Sequence, residues 1–154
     1  MKKIIVFLCL LGFVIGCKQT DNIETLTAKA EKGDAEAQYN LAKRYYDGKE
    51  VEQSFEKAVK WYEKAAKQGY AKAQNALGVC YHKGEGIEES LEKAVEWFEK
   101  SAKQGYAAAQ YNLGYCYYNG QGVEQSKTQA IFWFKKACKN GDNVACDIVD
   151  TINN

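Results

Sequence analysis

Proline is absent from this chain, histidine occurs once, and neither sign of charge predominates: 21 Lys and Arg stand against 20 Asp and Glu, a formal net charge of +1. Without proline nothing forbids long helices, so 13 glycines must supply the turns and an all-helical fold is expected. The charged residues form no block of one sign. Phosphate binding needs a basic patch or stripe, so nucleic acid is excluded as an expected partner. With His82 as the sole histidine and no Cys-x2-Cys pair, the sequence argues against a zinc site and calls for no cofactor. A bilayer-length apolar run is also missing, since the stretch from Ile4 to Gly16 is too short to span. What remains, 154 residues of which 46% are apolar, suits one compact domain rather than disorder.

What the chain has in place of these features is repetition. Gly33, Gly69 and Gly105 lie 36 residues apart. Laying them over one another brings Ala37/Ala73/Ala109, Gln38/Gln74/Gln110, Leu41/Leu77/Leu113, Tyr45/Tyr81/Tyr117 and Trp61/Trp97/Trp133 into register. A fixed period of this length marks an array in which each unit buries its apolar face only against its neighbours.

Within a unit, Ala37, Leu41 and Tyr45 fall on one face of a helix expected from about Ala35 to Asp47, helix A. Gly48, and in the later copies Gly84-Glu85-Gly86 and Gly120-Gln121-Gly122, end it. Ser54, Ser90 and Ser126 stand where an N-cap is wanted, opening helix B with its small residues and aromatic pair (Trp61-Tyr62, Trp97-Phe98, Trp133-Phe134). Asp21 to Lys32 reads as a degenerate helix B and Asp142 to Ile152 as a degenerate helix A, half units that cap the stack. The expected division is 33–68, 69–104 and 105–140 for the repeats, with a capping helix over 141–152 and a tether plus capping helix over 17–32.

The amino terminus reads as a secretory signal over residues 1–16, Lys2-Lys3 followed by an apolar core. Its end, Val14-Ile15-Gly16-Cys17, resembles the bacterial lipobox, which implies cleavage before Cys17 and lipidation of its sulfur. The other reading is an ordinary signal peptide with an incidental cysteine, giving a secreted protein. Multiple acyl chains would hold the mature chain at a membrane through a lipid anchor. Lys18 in the second mature position resembles lipoproteins forwarded to the outer membrane, so the expected location is the cell envelope, facing the periplasm.

The pattern Ala-x3-Leu-Gly-x2-Tyr-x2-Gly-x-Gly-Val, followed by Lys-Ala-x2-Trp-Phe-x-Lys-Ala-Ala-x-Gln-Gly, closely resembles the Sel1-like repeat, a short relative of the tetratricopeptide repeat, over residues 33–152. The resemblance implies an α/α solenoid, a right-handed superhelix of antiparallel helix pairs with helix A on the concave side. Glu50 departs from it, standing where the later copies keep Gly86 and Gly122, and predicts a first loop that bends differently. Cys138 and Cys146 flank the short Asn140-Gly141-Asp142 turn, across which facing helices can come within bridging range. Their spacing resembles the Helicobacter-type cysteine-rich repeat proteins, where such pairs join consecutive helices, which implies a disulfide. The alternative is a free buried thiol pair. Cys80 and Cys116, at equivalent places on successive helices, are expected to be small core residues.

Ser54-Phe55-Glu56-Lys57 and Ser90-Leu91-Glu92-Lys93 match Ser-x-x-Lys, the nucleophile motif of penicillin-recognising enzymes. The match recurs because the repeat recurs, the serines already serve as caps, and the third copy lacks the lysine. No catalytic residue is therefore assigned. The resemblance to the cysteine-rich group keeps a rival open, a periplasmic penicillin-binding protein or weak β-lactamase using Ser54 with Lys57 or Ser90 with Lys93. The leading expectation is a non-enzymatic adaptor that binds protein or peptide on the face of helix A away from Ala37, Leu41 and Tyr45. That face carries Tyr39, Asn40 and Tyr46, then Asn75 and His82, then Tyr111, Asn112, Tyr115 and Tyr118. Tyrosine and asparagine offer flat contact area and backbone-directed hydrogen bonds. The alternative for each tyrosine is packing between units.

Overall fold

In every repeat serine opens helix B and glycine closes helix A. The hydroxyl oxygens of Ser54, Ser90 and Ser126 accept from the backbone N–H groups of Lys57, Lys93 and Gln129, each at 3.3 Å. Gly48, Gly84 and Gly120 end the preceding helices. A computed structural model describes residues 22–153 as eight α-helices: α1 (Ile23–Glu31), α2 (Ala35–Asp47), α3 (Phe55–Lys67), α4 (Ala71–Lys83), α5 (Leu91–Lys103), α6 (Ala107–Asn119), α7 (Lys127–Lys139) and α8 (Asn143–Asn153). The candidate signal segment 1–16, the candidate lipidation site Cys17, and Lys18 lie outside the described residues. Helices α2, α4 and α6 are the A helices, α3, α5 and α7 the B helices, and α1 and α8 the half units. The main packing runs between consecutive helices, within and between repeats alike, as a solenoid requires.

Leu41, Leu77 and Leu113 are fully buried at equivalent places, Leu77 in one cluster with Ala58 and Leu113 in one with Ala94 of the preceding helix B. Helices A and B approach closely because Gly78 and Gly114 lie under the rings of Phe98 and Phe134, where an added Cβ would sit 2.6 and 2.8 Å from ring carbons. The first repeat keeps Ala42 with Tyr62 at those places, both buried. On the other side of helix B, Lys64 and Lys100 hold their ammonium groups 4.0 Å from the ring centroids of Trp61 and Trp97.

Neighbouring repeats are joined by a buried glutamine. The side-chain amides of Gln38, Gln74 and Gln110 donate to the carbonyls of Ala30, Ala66 and Ala102 on the preceding helix at 3.0, 3.2 and 3.0 Å. Their own oxygens accept from Gln68, Gln104 and Asn140 at 2.8, 2.7 and 2.8 Å. Each glutamine thus ties three successive helices together. Gln74→Leu, which keeps the bulk and removes both bonds, is expected to cost about 1 to 2 kcal/mol in urea unfolding.

At the last junction the device changes. Cys138 and Cys146 occupy the places held elsewhere by the alanine and the glutamine, and they form a disulfide with a Cα–Cα distance of 4.7 Å. The pairing implied by the resemblance is present. Cys80 and Cys116 are free and buried, as expected of core residues.

The first loop departs from expectation. Glu50 takes φ 65°, beside φ 72° at Gly86 and 69° at Gly122, so the loop follows the same path in all three copies. The reason lies in what each residue faces. A Cβ on Gly86 would lie 2.3 Å from the backbone of Phe55, and one on Gly122 would lie 2.3 Å from that of Leu91, at the start of the preceding helix B. The place equivalent to Phe55 and Leu91 is residue 19, which lies outside the described residues. Glu50 is half out in solvent, its carboxylate 2.7 Å from Arg44 Nη1 in a contact off the line of the N–H bond.

Candidate interaction groove

The A helices present one stripe of each repeat to the next, and their side chains meet there. The Tyr46 hydroxyl donates to the Glu85 carboxylate and His82 Nε2 lies 3.0 Å from Gln121 Oε1, the same step one repeat on. The Asn112 side-chain amide donates to Asn75 Oδ1 at 2.9 Å. Tyr39 lies between Tyr62 and Tyr70, with ring centroids 5.8 and 5.4 Å away. Burial raises the Tyr39 hydroxyl above its usual pKa, and burial followed by the bond to Glu85 raises that of Tyr46. Both stay protonated, and Tyr46 is the donor to Glu85. Asn40 is half-buried on α2. The stripe is therefore largely consumed by contacts between repeats at its N-terminal end.

Toward the other end it opens. Tyr111 leans on Phe134 at 5.7 Å, while Tyr115 and Tyr118 are 45% and 47% exposed. Two hollows flank α6. One of about 280 Å³ lies toward α4 and is lined by Val79, His82, Lys83 and Asn112. The other, of about 440 Å³, lies toward α8 and is lined by Tyr118, Val144, Ile148 and Ile152. Tyr111 and Tyr115 line both, so the two form one furrow. Among the described residues no side chain engages the Tyr118 ring as Gln121 engages His82, and the ring stays exposed there.

The Ser-x-x-Lys residues do not form a site with this furrow. The Ser54 and Ser90 hydroxyls cap their own helices and lie 3.3 Å from Glu56 and Glu92. The Lys57 and Lys93 ammonium groups lie 5.4 Å from the centroids of Tyr45 and Tyr81. A general base has to reach the proton it takes, and these amines are placed over aromatic rings. The free thiols are no better nucleophiles, because burial pushes Cys80 up to about 12 and Cys116 up to about 11.

A model of the Sel1 repeat matches residues 35–70, 71–106 and 107–142. The chain belongs to the Sel1 repeat family. Solved Sel1 structures agree with it. A protective antigen of uropathogenic Escherichia coli strains is 39% identical over 82% of this chain, with a TM-score of 0.79. The chain spans 27% of that antigen's length. A Sel1 repeat protein from Oxalobacter formigenes is 33% identical, with a TM-score of 0.76, covering 84% of this chain and 97% of its own. Helicobacter pylori cysteine rich protein B is 25% identical, with a TM-score of 0.66, covering 82% of this chain and 90% of its own. No curated protein sequence matches the chain. Sel1 repeat proteins typically act as protein-interaction scaffolds.

Sequence reasoning placed the stripe and missed what its members do to one another. The pairs Tyr46–Glu85, Asn75–Asn112 and His82–Gln121 are separated by about one repeat, a distance at which no local pattern operates. The signal that was available is the step itself, because His82 and Gln121 stand one period after Tyr46 and Glu85.

Proposed function

We propose that this Sel1 repeat protein is a non-enzymatic scaffold, held at a bacterial membrane by a lipid on Cys17 and facing the periplasm, that captures an extended peptide or partner segment along its A helices. The observation that carries the reading is the furrow along α4, α6 and α8, where Tyr115 and Tyr118 remain exposed beside apolar walls. Such amphipathic rings provide large contact area at low entropic cost. An extended segment laid over α6 would meet Asn112 and Lys83 at one end and the apolar face of α8 at the other. The lipobox-like run before Cys17 and Lys18 after it support the tether and an outer-membrane destination.

Partner capture by crosslinking from envelope fractions tests this reading. Tyr115→Ala with Tyr118→Ala is expected to reduce capture at least tenfold, since hot-spot truncations cost about 2 kcal/mol or more, and to leave the melting curve unchanged because both rings are exposed. Capture that survives the double change would refute the furrow as the binding face. Nitrocefin turnover lost in Ser54→Ala or Ser90→Ala would instead establish the enzymatic rival.

A further inference from the structure

Helix α7 differs from its two counterparts on its outward face. Glu56 and Glu92 are followed one period later by Thr128, Lys60 and Glu96 by Phe132, and Glu63 and Glu99 by Lys135. The helix thus carries Lys127, Lys135, Lys136 and Lys139, all exposed, and no acid. In α3 and α5 the last lysine pairs with the glutamate one turn back, Lys67 with Glu63 at 3.9 Å and Lys103 with Glu99 at 3.1 Å. In α7 that turn sets Lys135 against Lys139, like charges at i,i+4, which weaken a helix. No ion pair joins the four lysines to another described residue. Helix α6, packed against α7, has no acid, and α8 offers Asp147, which lines the furrow, and Asp150.

An aromatic pair sits among these charges. Phe132 is 47% exposed, and Trp133 meets it edge-on at 5.2 Å. The Lys136 ammonium lies over both rings, at 4.6 and 5.1 Å. Two local rules are broken at one place, an exposed phenylalanine and a run of lysines with no carboxylate partner, and the Lys136 contact with the rings is the one return inside the described fold. Such breaks mark function. The missing counter-charge has to come from outside, and lysines flanking an exposed aromatic ring match the boundary between headgroups and acyl chains. A soluble acidic partner would supply the charge and leave the phenylalanine unexplained.

We propose that the outward face of α7 docks on the surface of an anionic phospholipid bilayer, with its lysines on the phosphates and Phe132 entering the headgroup boundary. The inference stands on α7 alone and is independent of what the furrow binds.

Sedimentation of the full chain with phosphatidylglycerol–phosphatidylcholine vesicles, and with phosphatidylcholine vesicles alone, tests it. The neutral arm removes whatever the apolar segment 4–16 contributes. Each lysine near an anionic surface strengthens binding about fivefold, so Lys135→Glu, a change of two charges, is expected to lower the anionic preference about twentyfold. Lys60→Glu on α3 makes the same change in net charge and is expected to move it less than about twofold, being off the patch. Equal losses from both would overturn the proposal. Phe132→Lys adds charge and removes the ring, so binding to anionic vesicles is expected to fall. Unchanged or stronger binding would overturn the lipid surface in favour of a soluble acidic partner. Each variant installs a residue already present in a sister helix, so the fold is kept, as a helical melting curve checks.

Discussion

Gly86→Ala or Gly122→Ala is expected to lower stability by about 2 to 5 kcal/mol, while the opposite exchange in the first repeat, Glu50→Gly, changes it by less than about 1 kcal/mol. The backbone is left-handed at all three places. What separates them is the neighbour. The new methyl would lie 2.3 Å from the backbone of Phe55 or Leu91, atoms held by a capped helix end that cannot swing aside as a side chain does. To that overlap, costing about 1 to 3 kcal/mol, is added about 1 to 2 kcal/mol for a side chain in left-handed backbone. Glu50 already bears the second cost and, among the described residues, meets nothing that imposes the first. Glycine there relieves strain, but it loosens the unfolded chain and gives up the exposed contact with Arg44, so the effects nearly cancel. Urea unfolding followed by circular dichroism checks both halves. A Gly86→Ala variant as stable as the parent would show that the repeats do not approach as closely as the structure places them.

The second large effect concerns the last helix. Reducing the Cys138–Cys146 bond is expected to destabilise the protein by about 2 to 3 kcal/mol, the loop-entropy value for so short a closed segment. The loss should be confined to α8. That helix contributes one fully buried residue, Ala145, with Ile148 and Val149 half-buried, and Cys146 has replaced the glutamine that ties the other junctions. Hydrogen exchange before and after reduction should show α8 losing protection while α2 to α5 keep theirs. The replacement can be reversed by substitution. Cys138→Ala with Cys146→Gln installs the pair found at Ala66 and Gln74, and it should recover part of the stability and abolish the response to reductant. If this variant is no more stable than the reduced protein, the two devices are not equivalent.

The glycines, serines and tryptophans recur because backbone turns and close packing admit few residue types, and the period, the helices, their ends and both half units could be read from them. Glu50 misled because composition shows that a glycine is missing and cannot show whether anything presses on the place it left. Gln38, Gln74 and Gln110 were visibly in register, yet their part in joining repeats depends on carbonyls and on Gln68, Gln104 and Asn140, which come together only once the helices stack. The candidate groove was half legible. Periodicity located the stripe, but which tyrosines stay free depends on contacts made between stacked repeats.

The disulfide also decides something about shape. Helix α8 forms one wall of the larger hollow, and the bond pins that wall. In an oxidising compartment the furrow keeps its full length. In a reducing one the far wall is left to a few half-buried contacts, and the furrow shortens to the part between α4 and α6. The length of the furrow on offer is then set by the redox chemistry of the surroundings, through a single covalent bond.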